Sequence, residues 1–279
     1  MKVTIAGNLD EALADPAATY LAGGTDLMVG INFGRERPEH VVSIRGLEEL
    51  QQVSVDGVQS FGGGVTYSGL LEALGERSPA MVQAARTIGS PQIRNAGTIG
   101  GNLGTCSPAG DTLPVLAALD ATIVLRSSAG ERRVPFAAFM FGPRKSERKP
   151  GEVVYAVDWQ DAGPSQAFLK AGTRNAMVIA VASLAMVVDR PRRAVRVALG
   201  SVGPTILRAT SAEELAAELY EASGWDRPLK ASDAAVARFG ELAATAAEPI
   251  DDQRGTARYR RHIVAVMARR ALARTGAAA

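Results

Sequence analysis

Asn95-Ala-Gly-Thr-Ile-Gly-Gly-Asn-Leu-Gly-Thr-Cys-Ser-Pro-Ala-Gly-Asp111 is the stretch on which the reading of this chain turns. Gly97, Gly100, Gly101, Gly104 and Gly110 are interleaved there with Thr98, Asn102, Thr105 and Ser107. Glycine weakens a helix or strand interior and is used where backbone must take positive φ or let another group come close. The stretch is therefore expected to be a loop rather than a regular element. Amides and hydroxyls packed this densely suit an anion. A tight turn between two elements is the other reading, and the stretch alone leaves both open.

Upstream lies a second glycine pair. Thr19-Tyr-Leu-Ala22 reads as a short strand running into Gly23-Gly-Thr-Asp26 and then apolar Leu27-Met-Val-Gly30. Such a turn presents successive N–H groups to an anion. It is neither a G-x-G-x-x-G nor a Walker loop, since no Lys follows the glycines. Taken singly, a Gly-Gly pair marks a connecting turn equally well. Around these stretches, Asn8–Ala14 reads as a helix capped by Asn8 and His40–Ile44 as a strand. Asp56-Gly57 is a hairpin signal between Val53–Val55 and Val58–Phe61. Ser68 is expected to cap Gly69–Leu74, a helix is expected over Pro79–Arg86, and Thr112–Leu119 is an apolar helix. Glu152–Trp159 alternates like a strand.

The 279 residues are 47% hydrophobic and 22% charged, an ordinary soluble globular balance. Length suggests two domains, each able to bury a core. A net charge of +2 demands neither nucleic acid nor a membrane. The single cysteine, Cys106, excludes an internal disulfide and any cysteine-ligated iron–sulfur cluster or zinc site within the chain. The N-terminus lacks a secretory pattern, and the longest apolar run, Ala176–Val188, is too short for a membrane span. A cytoplasmic location is expected. His40 and His262 have no metal-like spacing, so no metal site is expected.

Small turn residues at Asp161–Pro164 suggest a boundary. Beyond it Gln166–Ala171, Val178–Val188 and Ala194–Ser201 read as three strands. Ser211-Ala-Glu-Glu214 is a capping-box pattern opening a helix. Further helices start near Ser232 and Thr256, the last with Tyr259, Ile263, Val266 and Met267 facing inward. Arg254, Arg258, Arg260, Arg261, Arg269, Arg270 and Arg274 crowd this last stretch, either as a solvated face or as a contact for an acidic partner. No nucleic-acid motif accompanies them.

Ala22-Gly-Gly-Thr-Asp-Leu27 and Thr98-Ile-Gly-Gly-Asn102 together resemble the FAD-binding medium subunit of the molybdenum hydroxylases, the xanthine dehydrogenase and carbon monoxide dehydrogenase family. Ser107-Pro-Ala-Gly-Asp111, Gly151-Glu-Val-Val154, Lys170, Leu199-Gly-Ser-Val-Gly-Pro204 and Asp252-Gln-Arg-Gly-Thr-Ala-Arg-Tyr-Arg-Arg261 extend the resemblance over essentially the whole chain. It implies an α+β fold. Residues 1–162 would form a two-subdomain FAD-binding domain of the vanillyl-alcohol oxidase (PCMH) type, with subdomains of about 1–55 and 56–162. Residues 163–279 would form a small α+β domain of a three-stranded sheet with helices. The resemblance also implies a large molybdopterin subunit and a small subunit with two [2Fe–2S] clusters, arranged as a dimer of heterotrimers. Electrons would pass from those clusters through FAD to an external acceptor.

The resemblance distributes the cofactor contacts. Gly23, Gly24, Thr25, Asp26 and Leu27 would form one backbone cradle for the pyrophosphate, with Asp26 turned back into its own turn and Leu21 and Ala22 at the strand end beside the sugar-phosphate. Thr98, Gly100, Gly101 and Asn102 would form a second. Asp111 would take a sugar hydroxyl or adenine amine, cap the helix at Thr112, or do both. Ile88 would touch the adenine or belong to the core, Val154 would touch the cofactor from its strand, and Lys170 would close over the isoalloxazine or lie packed at the surface. Cys106 is expected to be a small buried residue. No motif suggests a covalent flavin link, so FAD is expected to be non-covalent. No acid/base or nucleophilic constellation is visible, so no catalytic side chain is expected; a standalone FAD-dependent oxidoreductase, the alternative reading, would need one.

Overall fold

The computed structural model describes residues 1–277. They divide into two units that are not consecutive in sequence. The first comprises Met1–Ala73, Gly89–Ser107 and Ala121–Gln160; the second comprises Leu74–Ile88, Pro108–Asp120 and the chain from Asp161 onward.

The first unit holds two sheets of different kinds, with a short two-stranded hairpin beside them. Strands β1 (Lys2–Ile5), β2 (Thr19–Leu21) and β3 (His40–Ser43) form a parallel sheet in the order β1-β3-β2. Parallel neighbours need crossovers, and the short helices Leu9–Ala12 and Leu27–Asn32 supply them. Asn8 caps the first of these as expected, accepting the Glu11 N–H. Leu9, Leu13, Val42, Ile44, Leu47 and Leu50 bury the core of this part.

The other sheet is antiparallel, β4-β5-β10-β6-β7, built from β4 (Val53–Ser54), β5 (Val58–Gly62), β6 (Thr122–Ser127), β7 (Gly130–Pro135) and β10 (Val153–Gln160); β8 (Met140–Gly142) and β9 (Lys145–Ser146) make the hairpin. The Asp56-Gly57 turn joins β4 to β5 with Gly57 at φ +74°. Gln59 and Trp159 oppose each other across β5 and β10, and the indole N–H donates to the Gln59 amide oxygen at 2.7 Å inside the core. One cap differs from expectation. The helix Tyr67–Leu74 is capped by Thr66, whose hydroxyl accepts the Gly69 N–H, while Ser68 donates to Asn95 Oδ1.

The second unit is a four-stranded antiparallel sheet in sequence order: β11 (Gln166–Ala171), β12 (Ala182–Asp189), β13 (Ala194–Gly200) and the two-residue β14 (Leu207–Arg208). The last of these adds to the three strands expected. Every residue of β12 is buried. Ala182, Leu184, Met186 and Val188 face a core shared with the helices Thr210–Ser223, Asp233–Thr245 and Ala257–Ala277. The opposite face of the sheet meets the helices Pro79–Thr87 and Thr112–Ala118. A strand covered on both faces reads as a continuous apolar run, which is why the Ala182–Val188 sequence shows no alternation.

Two expectations for these helices are corrected. The helix at Thr210 has no side-chain cap. It begins at Thr210 with Ala209 in the cap position, so Ser211 lies inside the first turn and cannot serve as the cap; Glu213, in the same turn, accepts the Val197 N–H at 2.7 Å and the Arg208 guanidinium at 2.5 and 2.9 Å. In the last helix Tyr259 is 47% exposed, while Arg260 is buried. Arg260 donates to the Val181 and Ser201 carbonyls and to Asp252, so it leaves the solvent-facing arginine set and closes the Asp252–Arg261 segment onto the sheet.

Candidate cofactor site

The two glycine-rich segments of the first unit are packed against each other. A Cβ on Gly23 would lie 1.9 Å from the Ala96 carbonyl oxygen and 2.9 Å from Gly97 Cα. One on Gly97 would lie 3.3 Å from Thr25 Oγ1. Glycine at Gly23 is therefore a requirement of backbone-on-backbone contact. Around this junction Tyr67 N–H donates to the Gly97 carbonyl at 3.0 Å and Ile99 N–H to Val65 at 3.1 Å.

The turn after β2 leaves its amides unused. Leu21 and Ala22 end the strand half-buried, with the Leu21 carbonyl accepting the Ile44 N–H. The N–H groups of Gly23, Gly24, Thr25, Asp26 and Leu27 find no acceptor among the described residues. Gly24 takes φ +72°, which turns the chain into the helix Leu27–Asn32. Asp26 occupies the cap position of that helix without a side-chain cap bond. Its carboxylate does not turn back into its own turn, as expected from sequence. It accepts the Thr105 hydroxyl at 3.3 Å and the Arg144 guanidinium at 3.4 Å, because a cation and a free hydroxyl are within its reach.

The second segment is not a loop. Ile99–Thr105 is a helix despite Gly100, Gly101 and Gly104, with Thr98 as its cap. Gly100 is needed because Gly63 lies against it: a Cβ would come 2.4 Å from the Gly63 carbonyl oxygen. The amides of this helix are committed. Gly100 donates to Gly63 at 3.0 Å, Gly101 to Thr98 Oγ1 at 2.9 Å and Asn102 to the Thr98 carbonyl at 3.0 Å. A second cradle of free amides is thus corrected to a helix start with a bare backbone face. The Thr98 hydroxyl keeps its own proton to donate, and a Cβ on Gly101 would approach only Thr98 Oγ1, at 3.0 Å.

Val154 is buried in β10, and its carbonyl would lie 1.9 Å from a Cβ on Gly63. Its backbone therefore seats the Gly63 turn under the Ile99–Thr105 helix. Cys106 ends that helix at φ +50°, is 1% exposed and directs Sγ at the Lys145 carbonyl. Burial pushes its thiol up to about 11, so the unreactive protonated form prevails at neutral pH.

Ile88, Asp111 and Lys170 belong to the second unit. Ile88 follows the helix Pro79–Thr87 and is half-buried. Asp111 occupies the cap position of the helix Thr112–Ala118 but makes no cap bond. Its Oδ2 instead takes the Lys170 ammonium at 2.5 Å and the Thr87 hydroxyl at 3.1 Å. Lys170 also reaches the Thr87 carbonyl at 3.3 Å. Both charged side chains are over nine-tenths buried. Burial pushes the Asp111 carboxyl upward, and the ammonium and hydroxyl pull against that rise. Asp111 Oδ1 is buried with no hydrogen-bond partner among the described residues, so one acceptor remains for a donor from outside the chain.

Sequence reasoning missed Gly63, Thr87 and Arg144. The Gly62-Gly-Gly64 run was a usable signal for the first. Thr87 and Arg144 carry no local signal, since each acts on a residue distant in sequence. Among the described residues no cluster of His, Cys, Asp and Glu could hold a metal ion, and no helix is long and apolar enough to cross a membrane.

Residues 2–158 match the family model described as the FAD binding domain in molybdopterin dehydrogenase, and residues 167–275 match the CO dehydrogenase flavoprotein C-terminal domain. The nicotinate dehydrogenase FAD-subunit of Eubacterium barkeri is 37% identical over 175 residues, which cover 60% of this chain and 59% of that relative. The glyceraldehyde dehydrogenase medium chain of Sulfolobus acidocaldarius is 31% identical over 258 residues, 90% of this chain and 88% of that one. A solved structure of carbon monoxide dehydrogenase from Hydrogenophaga pseudoflava is similar with a TM-score of 0.86 at 28% identity, covering 99% of this chain and 96% of that chain. A bare amide turn packed on the Ala96-Gly97 backbone, on a chain whose residues 2–158 and 167–275 are matched by these two models, places the protein among the FAD-binding medium subunits of the molybdenum hydroxylases, the family of the xanthine and carbon monoxide dehydrogenases.

Proposed function

We propose that this chain holds FAD non-covalently, on the Gly23–Leu27 turn and the start of the Ile99–Thr105 helix. In this reading it relays electrons between a partner subunit's [2Fe–2S] clusters and an external acceptor. The observation that carries the reading is the run of five amides without protein acceptors. A pyrophosphate brings negative charge, and the turn itself contains no Lys or Arg. Aligned N–H dipoles supply the compensating positive potential.

Bound FAD would supply the redox couple that the side chains lack. The residues then have holding roles. Thr98 offers a hydroxyl proton, Gly101 permits close approach, Gly100 seats the helix start on Gly63, and Leu21, Ala22, Val154 and Asn102 shape the neighbouring surface. Within the second unit, considered by itself, Asp111 Oδ1 suits a hydroxyl or amine donor. Lys170 fixes that carboxylate, so its charge is spent on Asp111 before it serves a cofactor. No side chain is assigned an acid/base step. The partners in this reading are a large molybdopterin subunit and a small iron–sulfur subunit, in a dimer of heterotrimers. The lone free thiol suits a reducing, cytoplasmic setting.

The absorption spectrum of the purified chain tests the proposal. Flavin bands near ~450 nm that leave with the supernatant on acid precipitation are expected. A colourless chain that takes up no added FAD would refute the cofactor reading. Co-purification with molybdenum- and iron-containing subunits checks the assembly.

A further inference from the structure

Asp26 sets a problem within the anion turn. Its amide is one of the five without an acceptor, yet its side chain is a carboxylate on the same turn. An uncompensated carboxylate there would oppose a diphosphate by like-charge repulsion. The chain answers with a residue from neither glycine segment. Arg144 places one guanidinium nitrogen 3.4 Å from Asp26 Oδ2 and another 2.6 Å from Glu36 Oε1. Glu36 is itself lodged against Gly30, where a Cβ would come 3.0 Å from its carboxyl carbon. The Arg144 backbone is fixed as well: it takes φ +58°, and its N–H donates to the Cys106 carbonyl at 3.0 Å. Thr105, the residue before Cys106, gives its hydroxyl to the same Asp26 oxygen.

These contacts contribute little to holding the fold. The Arg144 and Asp26 side chains are 59% and 51% exposed, and ion pairs that open to water add little stability. The arrangement has a charge consequence instead. One guanidinium is shared by two carboxylates, leaving a single net negative charge beside the turn; without Arg144 there would be two. We infer that Arg144 is a positioning residue for cofactor binding. It neutralises Asp26 and ties it to Thr105, so that the Gly23–Leu27 amides present a positive face to a diphosphate. Glu36 orients the guanidinium for this role. The inference rests on the FAD reading above.

The test is FAD titration of the full-length, deflavinated chain, followed by flavin fluorescence, with far-UV circular dichroism to check the fold. Arg144→Gln should weaken binding by about tenfold, and more steeply at low salt. Asp26→Asn should bind at least as well as the unaltered chain. The double variant Asp26→Asn with Arg144→Gln should return to within about threefold of the unaltered chain, since the charge to be neutralised is gone. An unaltered chain that binds no FAD sinks the cofactor reading and this inference together. Unchanged binding by Arg144→Gln sinks this inference alone. So does a double variant as weak as the single one, because Arg144 would then act on the ligand or the fold rather than through Asp26. Should Arg144→Gln fail to fold, the comparison moves to the double variant against the unaltered chain, which carry the same net charge beside the turn. Those two should agree within about threefold, and a loss of about tenfold in the double variant overturns the inference.

Discussion

At the scale of single residues, the glycines of the two segments fall into two physical classes that sequence does not separate. Gly23 is required by contact: its missing Cβ would overlap the Ala96 carbonyl, and a carbonyl in a packed backbone cannot give way. Gly104 sits in the Ile99–Thr105 helix with no heavy atom within 4 Å of its missing Cβ. Gly23→Ala should therefore destabilise the chain by at least about 1–3 kcal/mol, the cost of overpacking. Gly104→Ala should stabilise it by roughly 0.5–1 kcal/mol through the entropy of the unfolded chain. Urea unfolding of the two variants checks the split; matching losses of stability would show that the glycines share one role. The density of glycine between Asn95 and Asp111 was legible, but its purpose was not. Gly100 and Gly101 spend their amides within the fold because Gly63 and Thr98 reach them, whereas the less glycine-rich Gly23–Leu27 turn keeps its amides free.

At the scale of elements, the Asp111–Lys170 pair fastens the start of the Thr112–Ala118 helix to β11. A buried pair that loses one partner leaves a charge without compensation, at a cost of about 3–5 kcal/mol. Lys170→Met should cost that much near neutral pH. The sign of its pH dependence follows from Asp111, whose folded carboxyl already lies above its ordinary value because of burial. Removing the ammonium raises it further, so the folded variant binds a proton more tightly than the unfolded one. Its deficit should shrink as pH falls toward 4 and grow as pH rises. A deficit independent of pH would mean that Lys170 contributes packing alone. Replacing both residues, as Asp111→Leu with Lys170→Met, should recover most of the loss. The strands β11 and β13 and the hairpin at Asp56-Gly57 could be read from alternation and turn chemistry, because those signals are local. The Asp111 carboxylate was harder. Sequence placed it as a cap or a ligand, and the competing partner, Lys170, lies 59 residues away along the chain, on β11.

At the scale of the whole molecule, the family boundary and the packing boundary differ. The family models divide the chain between residues 158 and 167, close to the turn residues Asp161–Pro164 that suggest a boundary in sequence. The second unit nevertheless takes in two earlier segments, Leu74–Ile88 and Pro108–Asp120. The helices within them cover the face of the β11–β14 sheet opposite the C-terminal helices. The cover is specific. Gln83 accepts the Phe168 N–H at 2.7 Å, Ser201 N–H donates to the Pro108 carbonyl at 2.9 Å, and a Cβ on Gly200 would lie 3.3 Å from Pro114. A fragment beginning at Asp161 would keep the core of Leu184, Met186 and Val188 but bare the opposite residues, Ala185, Val187 and Ala198, to water. It would also leave Asp120, Ala117 and Asp111 out of reach of Arg208 and Lys170. Such a fragment should retain strand and helix signals in far-UV circular dichroism, bind ANS and unfold without a sharp transition. A fragment carrying Leu74 to the C-terminus should show none of these defects in its sheet, because both covering helices return with it. If the fragment from Asp161 instead melts cooperatively, with slow hydrogen exchange along β12, the earlier helices are accessories to a domain complete without them.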